Sequence, residues 1–373
     1  MDMETKKIIL ITGAGASVPF GLPTGARLLQ LIQYALGDEV KDRTNDDSFP
    51  KREVRLATRL KRAGERATLH FDDYQKEGLL NYLKASGCPS IDAFMAAPDN
   101  AKEFGHLGKL VLASVLLDQE QYAHLGTGDW LGEIIDNQLV EADDKLYERV
   151  EKFVQKVGII TFNYDRTIEH WLWQRMIYGQ KRSPREAHEI LKLLSVTHVY
   201  GHLGDYVPKE SVPGESPTGV KFGESLKTKL AAQSIELIGE RGQDQDQNRD
   251  IQFRQNLLSN AKRIAFLGFG YDETNLRILG FEKTSGTSSF KDVKDAPVKF
   301  SGGTAYGMTD LQCKRTCLGE RNKNGQDSFI WGTESETCLE FVRRYEVIEH
   351  IGPPESRVPF NFVSVSGRRG PMS

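Results

Sequence analysis

The sequence predicts an α/β protein with a doubly wound parallel sheet and a large helical insertion, and three observations carry that expectation. Residues 7–12, KIILIT, are a short apolar run rich in β-branched side chains, and glycines follow at once. Three further apolar runs, 157–162, 196–200 and 263–267, each end in a small or polar cluster, with stretches of helical pattern between them. Between the first run and the second lies a long charged region, 38–155, whose texture is helical with only weak strand signals. Buried parallel strands read as continuous apolar runs, and their alternation with helices is the pattern of βαβ units.

Taken in order, residues 24–36 place Leu28, Leu29, Ile32 and Leu36 at helical spacing behind Thr24, a suitable N-cap. The insertion holds a basic run at 51–66 and an apolar helix candidate at 107–119. Such a basic run is more often a solvated helix face than a patch for a partner. VGIITF then leads into Asn163-Tyr164-Asp165, VTHVY into Gly201-His202, and RIAFL into Gly268. A further strand is expected at 296–301. Pro208, Pro213 and Pro217, with several glycines, make 204–228 read as a mobile loop or lid, and 241–249 reads as a polar loop or helix start. A helix candidate at 334–347 precedes a Gly/Pro/Arg-rich tail expected to fray. The expected organisation is a Rossmann-like core over 1–310 that carries 38–155 as its insertion, followed by a C-terminal extension over 311–373.

With 39% apolar and 27% charged residues, the 373-residue chain has material for a sizeable core and a solvated surface. A formal net charge of -3 argues against a protein built mainly to coat DNA or an anionic membrane. No run approaches the roughly 20 apolar residues that span a bilayer. MDMETKK and the short apolar run after it do not form a secretory signal, so a cytoplasmic protein is expected. Cys313 and Cys317 are close in sequence, but a structural zinc site ordinarily needs a second close pair, and Cys88 and Cys338 do not supply one. Free thiols and no metal are the expectation.

The chemistry is expected at the strand ends. Gly13-Ala14-Gly15-Ala16-Ser17 follows the first strand, where glycines let the backbone approach a pyrophosphate and a helix N-terminus offers unpaired N–H groups. It is not a Walker loop, because no Gly-Lys-Ser/Thr follows, and Val18 stands where the common dinucleotide fingerprint has its third glycine. Thr161-Phe162-Asn163-Tyr164-Asp165 closes the second strand and Gly201-His202 the third, so an amide, a carboxylate and an imidazole would meet at one edge of the sheet. Taken singly, Asn163 also suits a turn, Asp165 a helix N-cap, and a lone histidine after a strand is more often structural than catalytic.

The ordered set GAGAS with Gly21-Leu22-Pro23, then TFNYD, then Gly201-His202, resembles the sirtuin superfamily. Sirtuins carry a GAG-x-S loop with a following G-I-P, then T-Q-N-x-D, then H-G. The departures are Thr24-Gly25-Ala26 where deacetylating sirtuins have D-F-R, Phe162 in place of the glutamine, and the lack of any cysteine between His202 and the strand at 263. Without the zinc module, protein deacylation is disfavoured. The combination is similar to the prokaryotic sirtuin-like NAD hydrolases of antiphage defence, such as Thoeris effectors and the sirtuin-like partners of HerA-type ATPases. Ser90-Ile91-Asp92 and the run Gly268, Gly270, Asp272, Asn275, Leu276 match segments of those proteins.

The resemblance implies hydrolysis of NAD to nicotinamide and ADP-ribose, with NAD as substrate and no cofactor required. Asn163, Asp165 and His202 are then the catalytic candidates. Gly13, Ala14, Gly15, Ala16, Ser17, Pro23, Thr161, Gly268, Gly270 and Asp272 are the candidates for holding NAD. For the late run, a strand–turn–helix connection with Asp272 as N-cap is an equally good reading, and both can hold. The family also implies a homo-oligomer and a HerA-type ATPase partner, no membrane, and nucleic acid only through a partner. Competing readings are an NAD or ADP-ribose sensor, a lysine deacylase, and a structural subunit of a nucleic-acid-directed complex.

Overall fold

The computed structural model describes residues 8–37, 73–139 except 125, 127 and 128, 148–210, 218–237, 254–281 except 255 and 259, and then 283–284, 287–288, 300–316, 318, 329–345 and 347–348. The basic run at 51–66, the segment 241–249 and the tail beyond 348 lie outside these residues.

Strand β1, Ile8–Thr12, is buried along its whole length, leads into the short helix α1, Ala14–Ser17, and sits at the centre of a six-stranded parallel sheet. Its neighbours are β2, Val157–Thr161, with β3, Ser195–His198, beyond it on one side. On the other side stand β6, Arg263–Leu267, then β9, Phe300–Gly303, and β10, Ile330–Trp331. Counted along the sheet, the strands run 3-2-1-4-5-6. In that order the chain leaves β1 in opposite directions, and the crevice between β1 and β6 at their carboxyl ends is the place where such folds bind ligands. Two short pairs stand apart from the sheet: β4, Tyr206–Val207, with β5, Val220–Lys221, and β7, Lys283–Thr284, with β8, Thr287–Ser288.

Alternation along β1 divides the core. Ile9 and Ile11 pack with residues of α2, Gly25–Leu36, and α5, Pro98–Gln121, whereas Ile8 and Leu10 pack with Trp130, Phe153, Leu172 and Phe341 on the opposite face. Each such side chain, fully buried, contributes roughly 1.5–3 kcal/mol. The sequence explains the helix starts. Thr24 accepts the Arg27 N–H at the head of α2, and Pro98 occupies the first turn of α5, where a missing N–H costs nothing.

Between α2 and β2 the described residues are helical: α3 Asp73–Ala85, α4 Ile91–Met95, α5, α6 Trp130–Glu133 and α7 Glu148–Lys156. After β2 come α8, Thr167–Gln174, and α9, Pro184–Leu191, while α10, Thr228–Gln233, packs on α5. Helices α11 Glu273–Ile278, α12 Asp310–Arg315 and α13 Cys338–Tyr345 complete the described chain.

The structure differs from the sequence reading in three places. The third strand stops at His198 rather than Tyr200, because the backbone turns through Gly201 at φ 72° and bridges to Ile235. The late strand, described from Phe300, runs on to Gly303 rather than 301, residues 296–299 lie outside the described residues, and β10 carries the sheet past residue 310. The described parts of 204–228 are bound down rather than loose, through β4, β5 and a buried arginine considered below.

The glycines after β1 are needed for contact between two loops. Gly15 N–H donates to the Gly268 carbonyl at 3.0 Å, and a Cβ on Gly15 would lie 2.7 Å from Gly268 Cα. Gly268 itself has φ +58°, and a Cβ there would lie 2.0 Å from Ala16 N. A Cβ on Gly270 would meet nothing within 4 Å. Gly268→Ala is therefore expected to cost about 3 kcal/mol or more in a chemical-denaturation series, and Gly270→Ala less than about 1 kcal/mol. Equal stabilities would show that the two loops do not meet in this way.

Candidate active site

The parallel register sets Thr12 of β1 beside Thr161 of β2, and Thr161 beside His198 of β3, so three polar side chains form a row at the carboxyl edge of the sheet. Above this row a small cavity opens. It is lined by Thr12, Ala16, Ser17, Thr161, Asn163 and Asp165, with Phe20, Trp130, Thr167, Ile168, Glu169 and His198. Its free space, about 10 Å³, suits one water.

Asn163 and Asp165 reach the glycine loop from the end of β2. Asn163 Nδ2 donates to the Gly13 carbonyl at 3.0 Å and to Ser17 Oγ at 3.0 Å. Ser17 Oγ donates in turn to Asp165, 3.0 Å from Oδ2. Asp165 also accepts the Thr167 N–H at 3.1 Å, so it caps the entry to α8 as well as facing the cavity. Burial pushes its carboxyl above the usual range, and the donors from Thr167 and Ser17 oppose that shift. One hydroxyl of this site, Thr12 Oγ1, is buried with no hydrogen-bond partner among the described residues. An orphaned buried hydroxyl costs roughly 1–3 kcal/mol, and such groups commonly mark a place for a water or a ligand.

The remaining candidates fall into two groups. Ala14 and Pro23 lie half-buried along the segment after β1, while Gly268 packs against Gly15 beyond the β1–β6 crevice. Gly270 and Asp272 are exposed, and Asp272 caps α11 by accepting the Thr274 N–H at 2.8 Å. His202 stands behind the cavity wall. Its backbone N–H donates to the Ser234 carbonyl, and its ring meets the His198 ring edge-on at 5.2 Å. Its Nδ1 is buried without a partner among the described residues. Burial, followed by the charge of His198, lowers the pKa of His202, which favours the neutral ring.

Sequence reasoning missed His198, Glu169 and Arg166. His198 looked like a strand interior, and the other two like the start of a helix. Arg166 is fully buried. It pairs with Glu120 of α5 at 2.6 Å and donates to the carbonyls of Gly204, Val220 and Lys221. Glu120 nevertheless stays above its ordinary pKa, because burial outweighs the Arg166 charge. Tyr164 bonds Asp92 of the Ser90-Ile91-Asp92 segment, and Tyr200 bonds Asn275 of the late run. Both matched segments are thus tied to strand ends of the site. Cys88, Cys313 and Cys338 are free thiols, and Cys317 lies outside the described residues. Among the described residues no group of three or more His, Cys, Asp or Glu is placed to hold a metal ion, and no helix is long and apolar enough to cross a membrane.

Neither a family model nor a curated protein matches the chain.

Beside the site, His170 stacks on Phe222 with ring centroids 3.9 Å apart and bonds Tyr206 through Nδ1, holding Tyr206 and Phe222 against α8. Burial, reinforced by the Lys209 charge, takes its pKa from 6.5 down to about 4. The fold therefore holds His170 neutral, while the unfolded chain binds a proton below 6.5. Its contribution is complete above that pH and is lost as pH falls from about 6.5 towards 4, on the order of 3 kcal/mol in all. Thermal melts across this range should show the acid slope in the parent and a flatter one in His170→Phe. Equal slopes would remove His170 from the account.

Proposed function

We propose that this chain is a sirtuin-like NAD hydrolase that releases nicotinamide and leaves ADP-ribose. The observation that carries the reading is the cavity at the end of β1 and β2, where Asn163, Asp165 and Ser17 converge and the buried Thr12 hydroxyl has no partner among the described residues. The strand order supports it, since the glycine loop borders the crevice where such sheets take nucleotides.

In the proposed reaction a water oxygen attacks C1′ of the ribose, the C1′–N bond breaks, and nicotinamide leaves as a neutral pyridine. The water gives up its proton, for which neutral His202 is the base, directly or through a ribose hydroxyl. Asp165 accepts the carboxamide N–H of the leaving group, and Asn163 donates to a ribose hydroxyl or holds the water. The Gly13–Ser17 loop and Pro23 hold the nucleotide, with Gly268, Gly270 and Asp272 towards the adenosine end. A carboxylate beside the ribose favours the cationic, oxocarbenium-like state through which such bonds break. The cavity has room for about one water, so NAD entry requires the 13–20 segment and the start of α8 to part. In doing so Asp165 exchanges its Ser17 bond for the carboxamide.

We place the enzyme in the cytoplasm as a regulated effector of bacterial antiphage defence, a homo-oligomer working with a HerA-type ATPase. A second reading, an NAD or ADP-ribose sensor, is favoured by one observation. His202 does not line the cavity, and His198 stands between them.

Purified protein incubated with NAD, alone and with a HerA-type ATPase, should release nicotinamide. His202→Ala should lower the rate about 10²–10⁴-fold and retain NAD binding by calorimetry. Asn163→Ala should do the same once circular dichroism shows it folded, because its amide also anchors the Gly13 carbonyl. Saturable binding without nicotinamide release under either condition would favour the sensor. Full turnover in His202→Ala would take the base role away from it.

A further inference from the structure

With Glu169 ionised, both hydrogen-bond partners of His198 are acceptors, and that sets its charge. Nδ1 lies 2.9 Å from the Asn163 carbonyl oxygen, and Nε2 lies 3.1 Å from Glu169 Oε1. A carbonyl and an ionised carboxylate accept only, so each ring nitrogen carries a proton and the ring is an imidazolium. The pair is well shielded, with side chains 8% and 16% exposed. Burial opposes charge on both groups, yet their mutual hydrogen bond and attraction outweigh it, so His198 lies above its ordinary value and Glu169 below.

This cation touches the site in two places. Through Nδ1 it holds the backbone of Asn163, whose side chain reaches Gly13 and Ser17. Through its ring it meets His202 at 5.2 Å. The other groups facing His202 are the carboxylate of Asp205, 3.9 Å from Nε2, and that of Glu169, with the Gly204 backbone. Asp165 and Glu169 face His198. Asp205 is exposed, and solvent screens it. His198 is the buried cation in contact with the His202 ring, and a like charge beside it disfavours a second proton.

We propose that His198 and Glu169 are a positioning pair, which clamps the Asn163 loop and holds His202 unprotonated as the base of the reaction. The pair serves the reaction proposed above, whereas the charge state that it imposes on His202 belongs to the folded protein with or without NAD.

Histidine titration by NMR tests the electrostatics without any turnover. In His198→Gln the cation is gone and the Glu169 carboxylate is left unbalanced, so His202 should titrate at higher pH than in the parent. In Glu169→Gln the hydrogen bond is kept and the counter-charge is lost, so His198 itself should titrate at lower pH. This second variant decides the matter should the first not fold. The pH profile of nicotinamide release gives a parallel readout. The acidic limb should move to higher pH in His198→Gln, with a loss of rate at low pH that recovers at high pH. A lesion that was merely structural would lower the rate at every pH. An unmoved His202 in folded His198→Gln, or an unmoved His198 in Glu169→Gln, overturns the pair even where the parent cleaves NAD. Shifted titrations in a parent that releases no nicotinamide uphold the pair and remove the NAD-cleaving reading instead.

Discussion

Arg166 lies one residue after the carboxylate that faces the cavity, and the surroundings of that cavity are held together through its guanidinium. Its Nε and Nη2 take both oxygens of Glu120 on α5, and Nη1 and Nη2 take the carbonyls of Gly204, Val220 and Lys221. The Arg166 N–H donates to the same carboxylate, and so does that of Gly223. Three pieces of chain distant in sequence thus meet at one planar cation: the helical insertion, the loop after β2, and the segment that follows β3. Taking two charges out of water costs several kcal/mol per ion, so this pair is not a simple source of stability. What it supplies is direction. A guanidinium presents its donors in a fixed fork, which sets where the carbonyls of Gly204, Val220 and Lys221 can lie. Asp165 and Thr167, on either side of Arg166, inherit their positions from it.

The opposite edge of the site is set by shape rather than charge. Gly13, Gly15 and Gly268 approach so closely that no side chain fits at any of them. This contact closes the carboxyl end of β1 against that of β6 and presents Ala16 and Ser17 to the cavity. A glycine-rich turn after a first strand is ordinarily read as room for a phosphate. Here the missing Cβ atoms first serve the meeting of two loops, and any nucleotide would lie over a surface that those glycines have already made.

How much of this was legible in the residues differs from element to element. Strands β1, β2 and β6 stood out because buried parallel strands are apolar without interruption, and α2 because Thr24 caps an amphipathic run. Strand β9 was expected at 296–301, but its glycine end did not stand out. It ends in Gly302 and Gly303, where Gly303 lies beneath Phe266 and the Tyr271 ring, and a strand made of glycines carries little local preference. Asn163, Asp165 and Ser17 were legible as a set because each follows a strand end. His198 was not, since VTHVY reads as a strand running through it, and only the register of β3 against β2 puts it in the row with Thr12 and Thr161. Arg166 and Glu169 begin a helix, where charged residues are ordinarily solvated. Their burial depends on Glu120 and His198, which lie far away along the chain, and no local pattern encodes that.

The charges around the cavity bear on how such a site could be kept inactive. His198 offsets Glu169, so Asp165 is the remaining ionisable group lining the cavity, and burial already pushes it towards its neutral form. Its donors, the Ser17 hydroxyl and the Thr167 N–H, oppose that shift. On the proposed reading Ser17 stands in the segment that moves to admit a nicotinamide ring, so opening the cavity withdraws a donor from Asp165 unless the substrate supplies another. A carboxamide N–H is such a donor, and water admitted in bulk is a poorer one beside the apolar part of the wall, Phe20, Trp130 and Ile168. Closure without substrate and opening with it are then two states of one hydrogen bond. For an enzyme that consumes NAD, anything that holds the Gly13–Phe20 segment against α8 holds the reaction off, and the insertion is placed to do so, because the Trp130 indole N–H donates to the Ala16 carbonyl at 2.8 Å.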